Sequence, residues 1–293
     1  MKLTMTFLFA LFVAVYPAAA QVEQSWGCDA KDFKCQLTAT MKALTANPRL
    51  PENYFNVAIV QQRAGMHKEA AEAFGMVIAI PNAKRKLIAD SHNGRGFSLR
   101  ALKKADLALA DFDKAISLEG NTAVYHYNRG YALLDLGRQA DAVDAYGRAI
   151  AIDPKFAFAY YARAAILMAQ EKFDPAIADA TRVVLLLPDY ESAYMVRGLS
   201  FFGKEEYTKA ILDFDRFIAS PRAAPDRVLE ILFNRGMSHF FAGAYQKSVD
   251  DFSRYIAANA NDKDAYQARA LAYRKLNKIA QAEADERKAA ELK

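Results

Sequence analysis

The sequence predicts an all-α protein, a solenoid of about seven antiparallel helical hairpins preceded by one capping helix. Three observations carry this. Segments beginning at Pro51, Ala89, Ala123, Ala157, Glu191, Leu229 and Lys263 superimpose at spacings of 34 or 38 residues. A fixed period in that range marks stacked supersecondary units. Counted from each start, position 8 reads Ala58, Gly96, Gly130, Ala164, Gly198, Gly236 and Ala270, and position 20 reads Ala70, Ala108, Ala142, Ala176, Ala210, Ser248 and Ala282. With two helices joined near position 15, those small residues face each other and let the backbones approach. Breakers punctuate the pattern: Gly65, Gly137 and Gly243 fall at position 15, Pro154 and Pro188 at position 32, and Pro81 and Pro221 one place earlier.

The first twenty residues are of another kind. Lys2 is their only charge, an apolar run extends from Phe7 to Tyr16, and Ala18 and Ala20 precede Gln21. That is the form of a secretory signal peptide, with mature chain expected from Gln21. An uncleaved anchor is the alternative, although a spanning helix needs roughly 20 apolar residues. The expectation is a periplasmic or secreted protein with no stable membrane insertion after cleavage. Residues 21–50 form the cap segment, with a helix expected from about Lys31 to Ala46. The chain's only cysteines, Cys28 and Cys35, lie here. In an oxidising compartment they are expected to pair as a structural disulfide, with Trp26 beside them. Cys-x-x-Cys spacing and nearby histidines are both lacking, which argues against redox or metal roles.

Within residues 51–293 further columns recur. Position 24 holds Phe74, Phe112, Tyr146, Phe214 and Phe252, rings expected to wedge between neighbouring hairpins. These columns resemble the tetratricopeptide repeat family, whose pattern is an aromatic at 4, a small residue at 8, alanine at 20, an aromatic at 24, alanine at 27 and proline at 32. The third repeat fits best, through Gly130, Gly137, Ala142, Tyr146, Ala149 and Pro154. Departures include Ala180 at position 24, Phe217 and Tyr255 at position 27, and Glu286 at position 24 of the last repeat, which suits a solvent-facing cap.

Position 7 is Arg95, Arg129, Arg163, Arg197, Arg235 and Arg269, and position 23 is Asp111, Asp179, Asp213, Asp251 and Asp285. Eight residues before the turn at position 15 and eight after it lie at one height on antiparallel helices, so a ladder of Arg–carboxylate pairs is expected. The third repeat has Ala145 at position 23, with Asp144 adjacent as its partner. The first repeat carries Val57 and Ala73 and lacks both.

Catalysis has no foothold in the sequence. It holds no Gly-x-Ser-x-Gly elbow, no His-Glu-x-x-His and no phosphate loop. Of four histidines, His92 and His126 occupy position 4 in adjacent repeats and read as substitutes for the aromatic there. No metal or cofactor is expected. The formal charge of +5 falls to +4 without Lys2, and the densest basic run is only Lys84, Arg85 and Lys86. That is not the basic stripe of a nucleic-acid binder. The family resemblance implies a binding protein instead, with positions 2, 5, 9 and 12 of each first helix lining a concave face. In this chain those places give Phe97, Tyr127, Tyr131, Phe158, Tyr161, Met195, Leu199, Phe202, Phe233 and Met237, an aromatic and Met-rich channel suited to an apolar peptide or helix of a partner protein. Burial of this channel by superhelical curvature is the competing reading. The Lys and Asn at positions 5 and 9 by which some relatives hold a chaperone's C-terminal carboxylate are not found here. The resemblance implies a noncatalytic scaffold or adaptor of the cell envelope. An accessory subunit of an envelope enzyme, or a small-molecule or lipid carrier using the same channel, is the alternative.

Overall fold

The computed structural model describes residues 28–292. Among them are fifteen α-helices and no strand. The expected leader, Gln21 and Trp26 lie outside the described residues. Two compact units divide the chain, one ending at Ala159 and the other beginning at Tyr160.

Unit 1 holds α1 (Phe33–Ala46), α2 (Pro51–Arg63), α3 (His67–Ala79), α4 (Arg85–Ala101), α5 (Ala105–Leu118), α6 (Ala123–Asp135) and α7 (Gln139–Ile152). The cap helix α1 packs on α2, and from there on α2/α3, α4/α5 and α6/α7 form hairpins stacked in chain order. Unit 2 holds most of α8 (Ala157–Ala169), then α9 (Phe173–Leu186), α10 (Glu191–Gly203), α11 (Tyr207–Ile218), α12 (Pro225–Phe241), α13 (Tyr245–Ala258), α14 (Lys263–Lys275) and α15 (Ile279–Glu291). Its hairpins α10/α11, α12/α13 and α14/α15 stack in the same sequential way. Among the described residues no helix is long and apolar enough to cross a membrane.

The hairpin turns share one geometry. Position 15 has positive φ every time: Gly65 at 77°, Lys103 at 62°, Gly137 at 74°, Glu171 at 57°, Glu205 at 61°, Gly243 at 78° and Asn277 at 58°. This left-handed residue ends the first helix in a Schellman motif. In the third hairpin, for instance, the Arg138 amide donates to the Leu133 carbonyl at 2.8 Å and Gly137 to Leu134 at 2.9 Å. Only three of the seven positions are glycine, so four side chains accept a conformation that costs an L-residue about 1–2 kcal/mol.

The 38-residue spacings have a simple cause. Helices α4 and α12 begin four residues before their repeat starts and run for 17 residues against 13 in α2, α6, α8, α10 and α14. Four extra residues add about one turn of helix, which preserves the register of everything downstream.

Position 24 adds a contact to the sequence expectation. Four of its rings seat over the position-8 glycine of their own hairpin, and Phe112 also clusters with Ala132 of the next. A Cβ on Gly130 would lie 2.6 Å from Tyr146 Cε1, and one on Gly96 or Gly198 would lie 2.8 Å from Phe112 or Phe214. Removing the Cβ is what lets a fully buried ring lie flat on the partner helix. Phe74 differs in that position 8 of its repeat is Ala58, with which it clusters, and the close approach of its ring is to Gly94 of the next hairpin. Where position 24 is Ala180, position 8 is Ala164, and both are fully buried.

The cap is fixed by local bonds. Cys28 and Cys35 form the disulfide, with Cα atoms 5.8 Å apart. Asp32 accepts from the Cys35 amide at 2.9 Å as the N-cap of α1, which starts at Phe33 rather than Lys31. Arg63, the last residue of α2, donates to the Ala30 carbonyl at 3.0 Å and lies over the Phe33 ring. Asn53 of α2 reaches back to the carbonyls of Ala43 and Asn47, both at 3.0 Å. The disulfide loop is thereby tied to the first hairpin.

Candidate partner-binding face

The first helices that would carry a binding face are set in place by arginine. Arg95, Arg163, Arg197, Arg235 and Arg269 each grip the position-23 Asp of their own hairpin with two bonds of 2.6–2.8 Å. The carboxylates are buried, from 4 % exposed at Asp213 and Asp251 to 6 % at Asp179 and Asp285. Hydrogen bonding to these carboxylates, set against the cost of burial, pushes the guanidinium pKa values up. The charges are therefore permanent.

The same arginines also reach the preceding hairpin. Arg235 donates to Asp215 at 2.6 Å, Arg269 to Ser253 at 3.0 Å and Arg197 to Thr181 at 3.4 Å. All three partners occupy position 25 of the repeat before. This corrects one expectation: Arg129, whose own position 23 is Ala145, pairs with Asp113 of the preceding hairpin at 2.6 Å and not with Asp144. The ladder thus joins helices within each hairpin and hairpins to one another. A rung that loses its own aspartate falls back on its neighbour's.

The ten residues predicted for the channel all fall on α4, α6, α8, α10 and α12. Tyr127, Met195 and Leu199 are buried at 5–7 % exposure. Phe97, Tyr131, Phe158, Tyr161, Phe202, Phe233 and Met237 are half-buried. Much of their surface is spent on neighbours. In unit 1 the Tyr127 ring lies 5.0 Å from Tyr131, 5.8 Å from Tyr146 and 4.8 Å from Phe156, and its hydroxyl is 3.2 Å from that of Tyr131. Arg100 stacks over Tyr131 at 4.7 Å while bonding to Asp135 at 2.6 Å. Burial raises the Tyr131 phenol and pushes that of Tyr146 well above its ordinary value. Tyr131 is therefore a packing element of α6 as much as a surface group. In unit 2 the rings of Phe202 and Tyr207 meet edge to face at 5.7 Å, Tyr207 stacks on Phe241 at 4.8 Å, and Phe233 lies 5.5 Å from Phe252 and 5.3 Å from Tyr255. Phe241, at 49 % exposure, and Leu271, at 54 %, are open apolar groups on α12 and α14 that the channel residues do not include.

The basic run proves to be structural. Arg85 donates to the Leu118 carbonyl at 2.8 Å, Lys84 pairs with Glu52 at 3.2 Å, and Lys86 bonds Asp90 at 2.6 Å and the Tyr125 hydroxyl at 2.9 Å. Lys84 thus reaches α2 of the hairpin before, Lys86 reaches α6 of the hairpin after, and Arg85 ties the added turn of α4 to the end of its own partner α5. His92 likewise does more than replace a ring: buried, it donates from Nδ1 to Asp111 at 2.8 Å, making that carboxylate a partner of both His92 and Arg95. Burial would raise Asp111, but the bonds from Arg95 and His92 hold it below the usual carboxylate value. Among the described residues no group of His, Cys, Asp and Glu is arranged to hold a metal ion.

Repeat-family models match two stretches: a TPR repeat over residues 130–171 and a tetratricopeptide repeat over residues 161–227. The chain carries tetratricopeptide repeats. Solved structures agree on the fold. PilF from Pseudomonas aeruginosa superposes with a TM-score of 0.60 at 14 % identity, covering 78 % of this chain and 96 % of its own. MamA from Desulfovibrio magneticus RS-1 gives 0.53 at 19 %, covering 59 % and 95 %. YrrB, described as a TPR protein with an unusual peptide-binding site, gives 0.51 at 19 %, covering 63 % and 93 %. Comparison with curated protein sequences gave no match. Repeats of this type suggest a protein-interaction scaffold, and no enzyme family is indicated.

Proposed function

We propose that this protein is a noncatalytic scaffold of the periplasm or cell envelope that holds a peptide or helical segment of a partner protein against its first helices. The observation that carries the reading is the half-burial of aromatic and Met side chains on those helices. Phe202, Phe233 and Met237 in unit 2 keep part of their surface open, while Phe202 packs on Tyr207 and Phe233 on Phe252 and Tyr255. Rigid, partly open aromatic and thioether groups lose little entropy on contact and fit many apolar partners. Fold alone does not assign function, but a similar fold in YrrB is described with a peptide-binding site. The Cys28–Cys35 disulfide and the leader-like first twenty residues support the extracytoplasmic part, since disulfides persist in oxidising compartments.

The test is peptide selection from a random library on the mature protein, followed by affinity measurement on the double substitution Phe202→Ala and Met237→Ala. A loss of about 2–4 kcal/mol in a folded variant is expected if these are hot spots. Equal affinity in a folded variant would reject the face. Tyr131→Ala is a poorer choice, because Tyr131 also braces Tyr127, Tyr146 and Arg100.

A further inference from the structure

Two Arg–Asp rungs have a histidine against them, one in each unit, and the two are wired in opposite ways. In unit 1, His92 Nδ1 donates to Asp111 Oδ1 at 2.8 Å, so that nitrogen has a carboxylate partner. In unit 2, His239 on α12 has Nε2 3.9 Å from Asp251 Oδ2, an oxygen that Arg235 Nε already takes at 2.8 Å. Its Nδ1 is buried and has no hydrogen-bond partner. The whole side chain is 9 % exposed.

We infer that His239 is an acid-sensitive latch in unit 2: the neutral ring completes the packing of α12 against α11 and α13, and the doubly protonated ring releases it. The charged ring would place a buried N–H without an acceptor beside the Arg235 guanidinium. The charges that act on it are Asp215 of α11, Arg235 of α12, and Lys247 and Asp251 of α13. Both carboxylates are already engaged by Arg235. On the other two helices packed against α12, Arg197 of α10 and Arg269 of α14 are held by Asp213 and Asp285. Burial is the largest influence on the ring, and with repulsion from Arg235 and Lys247 it outweighs the attraction of Asp251 and Asp215, holding the imidazole below its ordinary value. For a base depressed in the fold, the stabilising contribution is complete above the ordinary value of 6.5 and is lost as pH falls from there through the folded value. Because α12 carries Phe233 and Met237, acid would also loosen the proposed partner face. That consequence rests on the function proposed above; the latch itself does not.

Native-state hydrogen exchange on the mature protein, corrected for the intrinsic pH dependence, tests it without any partner. Between pH about 7.5 and about 5.5, amides of α12 and α13 should open more often, by up to about tenfold, the limit set by protonating only the opened state. Amides of α4 and α5 around His92 should not follow. His239→Gln and His239→Phe should abolish the acid response. Persistence of the full response in either variant would overturn the inference. So would an NMR titration of the wild-type ring showing His239 at or above the ordinary histidine value, a measurement that stands even if the Phe variant does not fold.

Discussion

Replacing Arg197 with Met is the sharpest probe of what holds the two helices of a hairpin together. The substitution keeps the apolar stem and removes a guanidinium that makes two bonds to Asp213, at 2.8 and 2.7 Å, and a longer one to Thr181. Asp213 is left 4 % exposed with no partner for its charge. Breaking a fully buried pair costs about 3–5 kcal/mol. Arg197 is 18 % exposed, so water can enter once the guanidinium is gone, and the lower end, about 3 kcal/mol, is expected. Loss of the contact with the Tyr194 ring at 5.6 Å adds about 0.5 kcal/mol. Arg129→Met supplies the gauge: its partner Asp113 is 52 % exposed and accepts one bond, so about 0.5 kcal/mol is expected there. Urea unfolding followed by circular dichroism reads both, and the double variant Arg197→Met, Asp213→Leu closes the cycle. Much of the single loss should return in the double, because two apolar side chains then share a site where neither leaves an orphan charge. Equal costs for Arg197→Met and Arg129→Met, or additivity in the cycle, would refute the Arg197–Asp213 pair as the element that joins α10 to α11.

Other expectations concern the repeat columns. Glu171→Gly should stabilise by about 0.5–1 kcal/mol, since φ of 57° strains Glu and suits Gly, less the entropy that Gly adds to the unfolded chain; a loss of stability would show that the Glu171 side chain has a role beyond the turn. Gly130→Ala should cost about 1–2 kcal/mol despite better helix propensity, because its Cβ would meet the fully buried Tyr146 ring at 2.6 Å, and an unchanged urea midpoint would disprove that close approach.

The elements that recur were legible in the sequence, and those that depend on how one repeat meets the next were not. The turn at position 15 and the small residues at position 8 stand out because a local requirement repeats seven times. The ladder was visible within each hairpin for the same reason. Its second half was missed, although position 25 carries a signal of its own in Gly75, Asp113, Thr181, Asp215 and Ser253, all small or polar and all beside the next repeat's arginine. Reading each arginine only against its own repeat sent Arg129 to Asp144; comparing it with the repeat before would have found Asp113. The place of the position-24 rings was hidden more deeply. That Tyr146 lies over Gly130 is decided by helix spacing, which no periodicity encodes. Burial of the channel is of this second kind. Tyr127, Met195 and Leu199 have the register of a surface and the exposure of a core. Phe241 and Leu271, outside the chosen residues, are the more open. A partner that uses α10 and α12 therefore meets Phe202 already packed on Tyr207 and Phe233 already packed on Phe252 and Tyr255, so the affinity lost on truncating Phe202 or Met237 in a variant that stays folded would report contacts with the partner.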